Sequence, residues 1–508
     1  MSITGLGGLG GLVSGMDSKT MIEKLMMIEA QPLVSMKTQQ KKVELRKGLL
    51  QEINSALLKL KTKVEALADA QKVMAKKVTS SDDKVAIGTA FKADQVIEGS
   101  YDLKVEQLAT AWTAKSANIT SFANPTTKEL GWSGTFKVQY TNGTKTQVSR
   151  DITIEATDRL TDIAAKINAS LEDSQTAGSM KVKATVVDNT LIMTSGETGA
   201  GSSVQILNDT AGIFGPGKLG LTDGDATAAS FTSATVGKNS KFTVNGIDIE
   251  RSKNSGLNDV IQGLEITLLQ EGKSVNLKVE PDYEASEKVI QEFIDAYNST
   301  MELLTTRMNE KTEKDAKSDT MLSKGLLRGD PALSSIQSAL RDITGKAFSG
   351  SEMFKTLNSI GIRVDKSDNG VSGKLYIDTT KLREALSRNP NEVMKVFYVD
   401  GNANGKLDVD DNKAANGLAG MMFNKLFTLT DTTKVLHGTK SAPKGLLPSR
   451  MELMDGQVKE FNNRMESFNR RLEMRRKTLE AQFTSMEMMM QQSNSAGTFM
   501  MARMNSTY

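Results

Sequence analysis

Few residues in this 508-residue chain have the types and spacing to do chemistry, and the most specific group is Asp400, Asn402, Asn404, Lys406, Asp408 and Asp411. Together with Gly405 they place oxygen donors and a glycine at the spacing of an EF-hand calcium loop. Lys406 would offer only its backbone carbonyl. Asp411 stands where such a loop prefers a glutamate long enough to chelate with both oxygens, so affinity should suffer. The flanking stretches NEVMKVFYV and AANGLAGMMFNKLF both read as helical. The segment 400–411 reads either as a calcium loop or as a solvated acidic loop, and no motif requires any other cofactor.

The remaining chemistries are thin. Gly5-Leu6-Gly7-Gly8-Leu9-Gly10 satisfies G-x-G-x-x-G, but no strand can precede it within four residues, so it reads as a flexible leader and not a pyrophosphate cradle. There is no cysteine and one histidine, which excludes disulfides, thiolate sites and His-rich metal centres. A hydrolase triad would rest on His437 alone, and no enzyme is expected. Arg470, Arg471, Arg475, Arg476 and Lys477 are interleaved with Glu466, Glu473 and Glu480, which reads as a solvated helix face with i,i+4 pairs. A net charge of +3 gives no field that would recruit nucleic acid or an anionic membrane. No stretch is long and apolar enough to span a membrane. The N-terminus lacks the basic region and apolar core of a cleaved signal peptide.

The elements that must carry these residues fall into two styles. Seventeen of the 27 methionines lie in residues 1–36 and 451–508, whereas the first aromatic residue is Phe91 and both tryptophans, Trp112 and Trp132, are central. From Met36 apolar residues recur every seven, at Val43, Leu50, Leu57 and Val64, with Ile53, Leu60 and Leu67 three residues after the last three. That is a heptad seam, with Gly48 on its solvent side. Pro32 separates it from a shorter amphipathic stretch, Met21, Ile22, Leu25 and Ile28, started by Asp17 or by the Thr20-x-x-Glu23 capping box. The C-terminus repeats the pattern with Met451, Val458, Met465, Leu472, Leu479 and Met486, and with Met454, Phe461, Phe468 and Met489. Gln39, Arg46, Arg475 and Gln482 interrupt the seams, as polar residues that set register do.

Each seam taken alone is also compatible with an ordinary bundle helix. Each needs an apolar partner, however, and the other seam is the nearest candidate, which would loop the central residues out as a head. The centre reads as strands: an alternating stretch over 84–110, a strand-turn-helix over 151–170 with Leu160, Ile163, Ala164 and Ile167 on one face, then a hairpin. Asn245-Gly246 marks another hairpin turn. Helices return over 285–307, 331–344 and 378–387. The methionine-rich end, QQSNSAGTFMMARMNSTY, reads either as a frayed tail or as a segment that orders against a partner. In an isolated monomer, residues 1 to about 35 and 490–508 are expected to be mobile.

The order GLGGLVSGMDSKTMIEKLM, EGSYDLKVEQLATA, TDRLTDIAAKIN, TVNGIDI, VIQEFIDAYNSTMELL, LLRGDPALSSIQSALRDI and GIRVDKSDNGVSGKLYID, followed by a heptad C-terminus, resembles the flagellar filament cap family (FliD, hook-associated protein 2). TDRLTDIAAKIN also resembles a short repeat of flagellins and hook proteins. Residues 111–150, 210–235 and 400–450 carry little of the likeness. The resemblance implies an α+β, multidomain fold, with helical coiled-coil legs formed by both termini and inserted β-rich heads. The domains expected are a terminal coiled coil (1–42 and 450–508), a helical leg (43–75 and 285–449), a β-rich head (76–112 and 236–284) and a second inserted head (113–235). The seam residues are Val43, Leu50, Leu57, Val64, Met465, Phe468, Leu472 and Leu479.

In function the resemblance implies a homo-oligomeric small ring at the extracellular filament tip, exported unfolded through the flagellar export apparatus. Its partners would be flagellin and other hook-associated proteins, and its role to promote flagellin folding and insertion. A surface adhesin acting through the β-rich head is the alternative.

Overall fold

The computed structural model describes residues 17–505 except 120–123, 144, 173–180, 223–227, 230, 233, 366–371, 402–406, 409–416, 433–435, 438–439 and 442–443. The fold is α+β and multidomain, with helical termini and a β-rich middle. The chain divides into two compact units, Met1–Asp69 with Glu287–Tyr508, and Ala70–Ser286.

The first unit is mainly helical, with two short two-stranded sheets, and its helices begin where local chemistry says they should. Asp17 accepts a hydrogen bond from the Thr20 amide (3.0 Å) and caps the N-terminal helix Ser18–Glu29, so the aspartate and not the capping box starts it. Pro32 sits in the first turn of the long helix Gln31–Leu67, where its missing N–H is harmless. Asp330, Asp378 and Asn389 cap Pro331–Gly345, Thr379–Arg388 and Pro390–Phe397 in the same way. Gly361, at φ 89°, closes a 3-10 turn in the left-handed conformation that a side chain disfavours. The helix Leu418–Thr430 starts from an extended Gly417, packed so closely on the Phe397 carbonyl that a Cβ has no room. The C-terminal helix runs unbroken over Leu446–Asn505.

The long helix buries Leu49, Leu50, Ile53, Leu57, Leu60, Val64 and Leu67, while Gly48 stays exposed. It packs against the C-terminal helix and also against Leu418–Thr430, an apolar helix with Leu418, Met422, Phe423, Leu426 and Leu429 buried. The long helix therefore lies in a three-helix arrangement and not in a simple two-ended rod. Lys61 lies 4.8 Å over the Phe423 ring, so even its charged face contributes to that packing. Lys63–Glu292 (2.7 Å) and Glu52–Arg307 (2.7 Å) tie the long helix to the helix Tyr283–Asn309.

The second unit holds two separate hydrophobic cores. One lies with a five-stranded antiparallel sheet in the order Lys76–Ser80, Lys273–Pro281, Gly99–Gln107, Ser240–Val244 and Ile247–Arg251, together with a three-stranded sheet of Leu257–Ile261, Leu264–Leu268 and Ala86–Ala90. Leu103, Phe242, Leu264, Ile266 and Leu277 are at its centre. The second core gathers Trp112, Phe136, Met193 and Phe214 with the helix Leu160–Glu172, whose Leu160, Ile163, Ala164 and Ile167 all point inward. Its hairpin Val182–Val187/Thr190–Thr198 turns through Asp188 and Asn189 at positive φ. Asn245 (φ 50°) and Gly246 (φ 80°) make the other tight turn, as the type I′ geometry of a two-residue hairpin demands.

Candidate assembly surface

The two chain ends meet as antiparallel helices. Gln40 Nε2 donates to Asn462 Oδ1 (2.8 Å), and Lys47 pairs with Asp455. Seven residues forward on one helix thus match seven back on the other, one heptad of register. Further out, Arg475 Nε donates to Glu29 Oε1 (2.9 Å) and Ser18 Oγ to Glu487 Oε1 (3.0 Å). Between these polar ties Ile22, Met26 and Leu479 are buried together, with Leu472 and Phe483 packed against them.

Among the seam residues, Leu50, Leu57 and Val64 are fully buried and Met465 and Leu479 nearly so. Val43, Phe468 and Leu472 are half-buried. The polar interruptions have distinct partners. Arg46 donates through Nε and Nη2 to the Leu326 carbonyl (3.0 and 2.6 Å), a loop oxygen and not a group on the C-terminal helix. Arg475 clamps the N-terminal helix through Glu29. The rest of the basic run sits on the exposed face, where Arg470 lies 3.6 Å from Glu466 and Arg471 stacks over Phe468 at 5.0 Å.

Among the exposed residues of the paired ends are several apolar ones. On the N-terminal helix Met21, Leu25, Met27 and Ile28 are exposed, opposite the face that holds Ile22 and Met26. A groove of about 530 Å³ runs between the two ends, lined by Met26, Met27, Ala30 and Leu472, with Glu23 and Arg476 among its polar residues. Beyond Glu487 the helix continues with every side chain from Gln491 to Met504 exposed, including Phe499, Met500, Met501 and Met504. The segment is helical through Asn505, with no proline to interrupt it. Such a surface performs no bond chemistry. It can dock apolar partners, and methionine's unbranched, polarizable side chain suits contacts that re-pack.

Two polar anchors of this unit join residues far apart in the sequence, although one of them also includes the i,i+3 pair Glu392–Lys395. Asp330 accepts two hydrogen bonds from Arg450 (3.0 and 2.7 Å), fastening the start of the C-terminal helix to the helix Asp330 caps. Burial pushes the Asp330 carboxyl upward, but the Arg450 hydrogen bond and charge, with the Ala332 and Leu333 amides, outweigh it and hold the pKa below the usual range. Glu392 accepts from Lys395 Nζ (2.7 Å), Ser351 Oγ (2.7 Å) and the Met353 and Glu352 amides, which hold its pKa at about 2. The Asp-Pro step at 330–331 marks a helix start in sequence, but nothing local names Arg450 as its partner.

Of the candidate calcium ligands, Asn402, Asn404, Lys406 and Asp411 lie outside the described residues, as does Gly5–Gly10. The helices Pro390–Phe397 and Leu418–Thr430 flank that loop, the second beginning seven residues past Asp411. Among the described residues no three acidic or histidine side chains cluster as a metal site, and no helix is long and apolar enough to cross a membrane. His437 lies in a two-residue strand paired with Lys440–Ser441.

Comparison with known proteins gives consistent matches. The family model for the flagellar hook-associated protein 2 C-terminus matches residues 237–495, and that for its N-terminus residues 14–112. The flagellar hook-associated protein 2 of Halalkalibacterium halodurans is 24% identical over 558 aligned positions, covering 96% of this chain and 98% of that protein. Its Salmonella typhimurium counterpart is 25% identical over 280, covering 55% of this chain and only 53% of the relative. The crystal structure of the D1-D2-D3 domains of the Escherichia coli flagellar cap protein FliD shares the fold, with a TM-score of 0.56 at 22% identity, covering 80% of this chain and 99% of that one.

Proposed function

The chain belongs to the flagellar hook-associated protein 2 family, and from that premise we propose that it caps the distal, extracellular tip of a bacterial flagellar filament, where exported flagellin subunits fold and insert beneath it. The role is structural and includes no reaction step. The observation that carries it is the apolar surface on the paired ends, where Met27, Ile28, Met500 and Met501 are left in water by the chain's own packing. A cap must hold a filament end and release it each time a subunit enters. Methionine-rich contacts, adaptable and individually weak, fit that cycle better than a rigid Leu or Ile surface.

On this reading the working form is a small homo-oligomeric ring, and flagellin and the neighbouring hook-associated proteins are its partners. Val43, Leu50, Leu57, Val64, Met465, Phe468, Leu472 and Leu479 hold each leg in shape for assembly. The two cores of the second unit favour a head of 76–112 with 236–284 and a further head of 113–235 inserted into it.

The test is deletion of residues 490–508. The side chains of Gln491 to Met504 are exposed, so the melting temperature should be unchanged and far-UV circular dichroism should fall only by the helix removed. Cells carrying the truncated chain should release unpolymerised flagellin and bear short filaments or none. Normal filaments from the truncated chain would refute the gripping role.

A further inference from the structure

The exposed end of the C-terminal helix carries an internal repeat. Met488, Met489 and Met490 are followed eleven residues later by Phe499, Met500 and Met501. Eleven residues make three helical turns plus about 20°, so each residue of the second band lies nearly in line along the helix with its counterpart in the first, about 16 Å away. Between them Gln491 to Thr498 are small or polar. Met488, Met489, Met500, Met501 and Met504 are 60–74% exposed, whereas Met193, Met301 and Met422 are at most 1% exposed. With no cysteine in the chain, these thioethers, together with those of Met27 and Met474, are the most accessible soft nucleophiles among the described residues.

We propose that these two bands are a peroxide-sensitive modification site, and that their conversion to methionine sulfoxide disables the docking face. The co-reactant is a hydroperoxide. The thioether sulfur attacks one peroxide oxygen, the O–O bond breaks as the S–O bond forms, and with hydrogen peroxide the other oxygen leaves as water. Sulfur loses two electrons and the peroxide gains them. Each product is a polar, chiral sulfoxide where an apolar, pliable side chain stood, so several docking contacts change character together. Buried methionines keep their thioethers because the oxidant cannot reach them, and the fold survives. The lesion is reversible, since sulfoxide reductases restore the thioether. The consequence for assembly rests on the docking role proposed above for this end of the helix.

The experiment treats the full-length protein with hydrogen peroxide, maps sulfoxides by peptide mass spectrometry, and measures binding to cap-free filament ends. Each preparation is compared with itself before treatment. Sulfoxide should accumulate early at 488, 489, 500, 501 and 504, together with the equally exposed 27 and 474, and last at 193, 301 and 422. Binding should fall roughly tenfold or more as the bands oxidise and recover after incubation with the two sulfoxide reductases, because polar sulfoxides replace several apolar contacts at once. The variant carrying M488L, M489L, M500L, M501L and M504L should lose much less of its binding on peroxide treatment, the remaining loss falling on Met27. Uniform oxidation of buried and exposed methionines, or undiminished binding by the oxidised protein, would overturn the proposal. Failure of the untreated protein to bind filament ends would instead overturn the capping role.

Discussion

Replacing Leu479 by alanine tests how the N-terminal helix is held. Leu479 is 6% exposed and, among the described residues, buried with Ile22 and Met26, flanked by Leu472 and Phe483. A leucine truncated in a well-packed core costs about 2–5 kcal/mol. This small cluster at the edge of the unit can relax, so the loss belongs at the lower end, about 2 kcal/mol. That is close to a thirtyfold shift in a local opening equilibrium. It should fall on one event, release of Ser18–Glu29 from the C-terminal helix, because Leu479 is far along the helix from the Leu50–Val64 core. Hydrogen exchange by mass spectrometry should therefore show amides of 18–29 exchanging about thirtyfold faster, with little change in 49–67 and a nearly constant melting temperature. Leu57→Ala is the contrast. Leu57 is fully buried in the three-helix core, and its loss should cost about 3–4 kcal/mol of global stability. Unchanged exchange over 18–29 in Leu479→Ala, or a melting temperature lowered as far as by Leu57→Ala, would refute the idea of a locally held helix.

Arg450→Met strands the buried Asp330 carboxylate, whereas Asp330→Asn keeps a cap acceptor for Ala332 but loses the ion pair; each should lower stability by about 2–3 kcal/mol in urea melts, since Arg450 stays partly solvated. The double variant should lose less than the sum of the two. Glu392 has a folded pKa of about 2 against an ordinary value of 4.5, so its contribution is full above pH 4.5 and is lost as pH falls toward 2; Glu392→Gln should flatten stability across that window in acid titrations. Calcium bound by residues 400–411 should raise the melting temperature reversibly, and Asp400→Ala should abolish the rise; no heat of binding at millimolar calcium would make the segment a solvated acidic loop.

Much of this molecule is legible in its sequence, because the signals concerned are local. A heptad period states which face of a helix will be buried before any partner is known, and Leu50, Ile53, Leu57, Leu60, Val64 and Leu67 are all buried. Asp17, Asp378 and the Asp-Pro step at 330–331 announce helix starts through hydrogen bonds no more than three residues long. Asn245-Gly246 specifies a hairpin because few residue pairs tolerate its left-handed backbone.

Partner choice was decided only by the tertiary structure. The long helix needed an apolar partner, and periodicity alone could not say that Leu418–Thr430 would share that place with the C-terminal helix, since any apolar helix of suitable length satisfies the same seam. Arg46 looked like a register device for the chain ends, yet its guanidinium found the carbonyl of Leu326, 280 residues away. The strand Lys273–Pro281 pairs with both Lys76–Ser80 and Gly99–Gln107, an order that alternation cannot encode because a strand's pattern fixes its faces and not its neighbours. Burial and backbone conformation are written residue by residue. Which distant surface completes a contact depends on competition among all the apolar faces of the chain, and that competition is settled only when they pack.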